Sequence, residues 1–138
     1  MKHLLLLALL SGTGASAQPS CPPPQLRVFY QQQPVALTGS PLVSAVTLTL
    51  DQAAACQTPL TYEFKTAQLT LVRAKRRLLP PLTVTTSHVD LTAFRQVYHP
   101  GDIIYVELHG VTLTAAPGRP LPYPLEANES LAYSWVLQ

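Results

Sequence analysis

Charged side chains are scarce in this sequence: Asp, Glu, Lys and Arg make up 12% of its 138 residues. Nine basic and seven acidic groups nearly cancel. A near-neutral, charge-poor surface argues against nucleic acid as the main partner. Long hydrophobic runs are also missing. The run Leu4 to Leu10 falls far short of the roughly 20 apolar residues of a membrane-spanning helix, and no later segment approaches that length. Glycine is sparse, with six in the whole chain. Those after residue 17 (Gly39, Gly101, Gly110 and Gly118) are scattered and build no phosphate-binding loop. There is no Gly-x-Ser-x-Gly elbow to present a nucleophile, and no Cys-x-x-Cys pair. His88, His99 and His109 stand without a second His or Cys at metal-ligand spacing. No capped stretch with helical period is present either. These absences lead us to expect no cofactor, no metal and no enzyme.

What is present begins with an export signal. Lys2 and His3 precede Leu4–Leu10, and Ala15-Ser16-Ala17 closes a run of small residues. That is the charged, apolar and cleavage-site order of a secretory signal peptide. A lipoprotein signal would place small and aliphatic residues before its cysteine, whereas Gln18-Pro19-Ser20 precede Cys21. We therefore expect a signal peptide over residues 1–17, a Pro-rich lead-in over 18–24 and a β-domain over 25–138, exported to the periplasm or beyond. In such an oxidising compartment an even cysteine count favours a disulfide, here Cys21 to Cys56.

Alternation of apolar and polar residues runs through most of the remainder. Leu26, Val28 and Tyr30 share one parity, as do Val46, Leu48 and Leu50. Between Thr61 and Ala74 the parity changes from Tyr62 and Phe64 to Leu69 and Leu71, which predicts a bulge or a bend. Residues 51–56 read as a connection that Pro59 ends. Pro100-Gly101-Asp102 opens the strongest strand, in which Ile104, Val106 and Leu108 fall out of step with Val111 and Leu113. Gly110 stands at that switch and predicts a bulge or bend near His109-Gly110, where the strand passes between sheets. A closing strand carries the only Trp, Trp135, in step with Leu131, Tyr133 and Leu137. About seven strands with turn residues between them predict an all-β fold, an antiparallel β-sandwich of immunoglobulin-like size.

Few residues suggest chemistry. Arg73, Lys75, Arg76 and Arg77 put four cations in five residues at an expected hairpin tip or rim. They suit an acidic protein surface or an anionic headgroup, or serve to keep a strand edge from pairing. Residues such as His88, Asp90, His99 and Asp102 are candidates for a rim site of an enzyme or hydrolase accessory. Tyr98, Tyr105 and Tyr123 are candidates for carbohydrate binding. Asn128-Glu129-Ser130 matches a glycosylation sequon, though a polar turn before the last strand accounts for it equally.

Over roughly residues 61–138 the order of these signals resembles the C-terminal β-sandwich repeats of the GldM family of gliding-motility and type IX secretion proteins. The stretches concerned are Leu69 to Arg73 before a basic turn, Val89 to Phe94, and His99 to Glu107. A loop with Pro117-Gly118-Arg119-Pro120 before the last strand completes the order. Gln18 directly after Ala-Ser-Ala also looks like exported proteins of the Bacteroidota. Members of that family carry a membrane helix and several domains, whereas we expect here one domain behind a cleavable signal. What the resemblance implies is a free-standing, non-catalytic module that binds another envelope protein.

Overall fold

The computed structural model describes residues 22–56, 58–115, 118–123 and 131–138. Residues 1–17, expected to be a signal peptide, Cys21 and the Asn128 sequon lie outside the described residues. Twelve strands and one helical turn are present among those described. In chain order they are β1 (Gln25–Tyr30), β2 (Gln33–Pro34), β3 (Ala45–Asp51), β4 (Leu60–Glu63), β5 (Thr66–Arg73), β6 (Arg76–Arg77), β7 (Leu82–Val84) and β8 (His88–Asp90). There follow α1 (Thr92–Arg95), β9 (Ile103–His109), β10 (Thr112–Ala115), β11 (Leu121–Pro122) and β12 (Leu131–Val136). All strand pairings are antiparallel.

One sheet runs β2-β1-β3-β8. A second runs β12-β9-β5-β6, with β7 also on β5, and a small third runs β11-β10-β4. Leu26, Val28, Val46, Leu48 and Val89 from the first sheet share one buried core with Ala67, Leu69, Leu71, Ile104, Val106, Leu108 and Trp135 from the second. Each of these sets follows the period of two that a strand imposes, so one face is dry and the other wet. The result is an all-β sandwich.

The strand count exceeds the seven expected, for two reasons. Two runs that read as single strands are each divided by a bend, and two-residue strands add β2, β6 and β11. Near the bend Lys65 donates its N–H to both His109 O (3.1 Å) and Gly110 O (3.2 Å). β5 pairs with β9 on one side of it and β4 with β10 on the other. The numbers of paired residues add to the same total on both sides (Thr66 with His109, Glu63 with Thr112), so no residue is inserted. This is a bend shared by two strands, and it carries them from the second sheet into the third. Gly110 sits at φ +66, and a Cβ there would meet the Cβ of Lys65 at 2.6 Å. Only glycine fits that crossing.

Among the described residues four non-glycines have positive φ, in two adjacent pairs: Gln31 and Gln32, Ala74 and Lys75. Each pair forms the two-residue loop of a hairpin, closing Tyr30 on Gln33 and Arg73 on Arg76. Positive φ at both central residues is the type I′ turn that matches strand twist.

The one departure from strands is the single helical turn α1, which is shorter than the long capped helix that the sequence lacks. Leu91 and Phe94, three residues apart, are both buried, and Asp90 Oδ1 accepts from the Thr92 N–H at 2.8 Å. A buried apolar pair at helical spacing with an acidic group at its start suffices for a single turn. The 51–60 connection is held by Gln52. Its Nε2 donates to Cys56 O (3.0 Å) and Thr58 O (2.5 Å), while its Oε1 accepts from Leu60 N (2.8 Å).

Candidate functional site

The hairpin β5–β6 presents the basic cluster, and the structure divides it. Arg73 lies against the surface, partly exposed, and reaches the buried Asp102. Its Nε donates to Asp102 Oδ1 and its Nη2 to Asp102 Oδ2, both at 2.8 Å, and Nη2 also reaches Val97 O at 3.0 Å. This is the two-pronged geometry that a planar guanidinium offers a carboxylate. Asp102 is only 2% exposed, and its Oδ2 accepts further from the His99 N–H at 2.7 Å. The hydrogen bonds from Arg73, helped by His99, hold the Asp102 carboxyl below its ordinary pKa against the opposing cost of burial. The same contact holds the Arg73 guanidinium above its ordinary value.

Asp102 enters this position through local chain geometry. Pro100 and Gly101 (φ +97) occupy the centre of a turn closed by the Asp102 N–H on His99 O at 3.0 Å, the Pro-Gly order of a type II turn. The Asp102 carbonyl then accepts from the Leu137 N–H at 2.7 Å. One residue thus ties together the basic hairpin, the loop after α1 and the C-terminal strand.

Lys75, Arg76 and Arg77 remain exposed. Among the described residues the ion pairs are Arg27–Asp51, Arg73–Asp102 and a long His109–Glu107 contact at 4.0 Å. None of the three tip cations takes part. Beside them the outer face of the second sheet forms a shallow depression of about 460 Å³, lined in part by Gln68, Thr70, Lys75, Arg77, Tyr105 and Glu107. Pairing of β5 with β9 sets Gln68 opposite Glu107 and Thr70 opposite Tyr105. Two cations, one aromatic ring, one carboxylate and two neutral hydrogen-bonding groups therefore share one open surface. Such a surface can dock an anionic or polar partner; it holds no nucleophile–base pair.

The other candidates do not converge. Asp90 is engaged at the start of α1, and its bond from the Thr92 N–H lowers its pKa. Asp102 is engaged by Arg73. No group of three His, Cys, Asp or Glu side chains able to hold a metal exists among the described residues. Of the tyrosines, only Tyr105 lines the depression. Tyr123 instead meets Tyr62 edge-to-face, with ring centroids 5.9 Å apart, and its N–H bonds Val111 O. Val111 lies roughly 20 Å along the strand from Tyr105.

Sequence reasoning found the cations and Tyr105 separately, but missed their union with Gln68, Thr70 and Glu107. The available signal was the outward parity of Gln68 and Thr70 and of Tyr105 and Glu107. No family model, curated protein or solved structure matches the chain.

Proposed function

We propose that this chain is an exported, non-catalytic β-sandwich module that binds another protein of the bacterial envelope. The contact surface is the β5–β6 hairpin with the adjoining outer sheet face. The observation that carries this reading is the division of the basic cluster. Arg73 anchors the hairpin on buried Asp102, and Lys75, Arg76 and Arg77 stand exposed beside the depression without carboxylate partners among the described residues. A tight two-residue turn joins the strands, so the cations are presented on an ordered support, which lowers the entropy lost on docking. The export signal and the resemblance of residues 61–138 to the GldM family support the same role.

Cross-linking in an envelope extract tests the proposal, comparing the wild type with a Lys75→Gln, Arg76→Gln, Arg77→Gln variant. The wild type should capture a defined acidic protein, with capture falling as salt rises and about tenfold lower for the variant. Equal capture by both proteins, or none by either, would remove this surface from consideration.

Tyr105 favours a second reading, because an aromatic ring flanked by Gln68, Thr70 and Glu107 also suits a saccharide. Glycan-array binding that disappears in Tyr105→Ala would favour that reading over a protein partner.

A further inference from the structure

Among the described residues, the outer edge of β12 is the longest that carries neither charge nor proline. β9 covers one side of β12. On the other side, residues 37–40 reach only its end: the Val136 N–H donates to Leu37 O (3.3 Å), and Val136 O accepts from the Ser40 N–H (3.0 Å). Val136 therefore turns both backbone groups away from β9. Backbone groups alternate in direction along an antiparallel strand, so Ser134 and Ala132 turn theirs the same way. Among the described residues no strand pairs with that side of residues 131–134.

Exposed edges are usually blunted with charge or proline. β6 carries Arg76 and Arg77, β2 ends in Pro34, β8 ends in Asp90 and β11 ends in Pro122. From Leu131 to Gln138 there is neither a charged residue nor a proline. Beside this edge a groove of about 530 Å³ opens toward β1, lined in part by Pro24, Leu26, Val28, Pro34, Leu131 and Tyr133. Leu37, whose carbonyl bonds Val136, is 58% exposed at the same place.

We propose that this edge pairs with the same edge of a second copy of the chain. β12 lies antiparallel to β12 of the second copy about a two-fold axis at Tyr133, joining two five-stranded sheets into one. Ala132 then faces Ser134 of the second copy, and each pair exchanges N–H···O bonds through the groups that point away from β9. A second copy fits better than an unrelated strand, because a two-fold axis brings each residue near its own equivalent. An uncharged strand meets itself without like-charge repulsion, which β6 would suffer. Residues 37–40 cover the edge beyond Ser134, so pairing stops there and yields a closed dimer, not a fibre.

Sedimentation of the mature chain across micromolar to submillimolar concentration tests this directly. The expected result is a reversible dimer for the wild type and a monomer for Ala132→Pro. That substitution removes only an N–H that β9 does not use, so its circular dichroism should match the wild type. If Ala132→Pro fails to fold, the Ala132→Lys, Ser134→Lys double variant decides, because it sets lysine against lysine across the axis. A wild type that stays monomeric at the highest concentration overturns the proposal. So does a dimer that survives unchanged in either folded variant.

Discussion

Replacing Asp102 with Asn removes a negative charge from a site where the fold has committed three donors to it. Two come from Arg73 and one from His99. Breaking a fully buried ion pair costs about 3–5 kcal/mol. Here the Arg73 side chain is 37% exposed, so water takes up part of the charge left behind and the cost falls. Asn also keeps one acceptor oxygen for Arg73 or His99. We expect a loss of about 2–3 kcal/mol at neutral pH, against the roughly 1.5–3 kcal/mol of a single hydrogen bond to a charged group.

The pH dependence separates this cause from a packing defect. Asp102 has its pKa lowered in the folded protein, so its contribution is fully present above the unfolded value of about 3.9. It is lost as pH falls through the folded value. Asn does not titrate in this range. Urea unfolding of both proteins should therefore show a constant gap from neutral pH to about pH 5, and a gap that narrows below about pH 4. A gap that stays flat into acid, or one below about 0.5 kcal/mol at neutral pH, would refute the assignment of Asp102 as the electrostatic anchor of the hairpin.

Three further outcomes follow, two from the backbone and one from the cysteines. Gly110→Ala should lower stability by about 2 kcal/mol in thermal melts, because its Cβ would collide with Lys65 at a positive φ. Changing Gln31-Gln32 to Asn-Gly should raise stability by about 1 kcal/mol, since the turn demands positive φ at both positions; an unchanged denaturation midpoint would count against the strain. The bridge expected between Cys21 and Cys56 should appear in the intact mass of the protein, purified under oxidising conditions, as the loss of two hydrogens. Reduction should cost about 3–4 kcal/mol, and a mass unchanged by reductant would exclude the bridge.

Local pattern carried the strands and their buried faces. A strand alternates sides at every residue, so Val46 and Leu48, or Ile104, Val106 and Leu108, declare their common face without reference to any neighbour. The bend at Gly110 was legible for the same reason, since a change of parity requires the chain to turn over. The single turn of α1 was not, because four residues are too few to show a period.

Partners distant in sequence were decided by tertiary structure alone. Arg73 reads as one of four equivalent tip cations, and Asp102 as a turn residue. Only the pairing of β5 with β9, and the turn at Pro100-Gly101, bring them together across 29 positions. The same pairing places Tyr105 and Glu107 beside Lys75 and Arg77. Periodicity is a property of one strand, and it is silent about which strand lies alongside. That choice rests on how all the inward faces fill one core, an energy shared by the whole sandwich and written in no single segment.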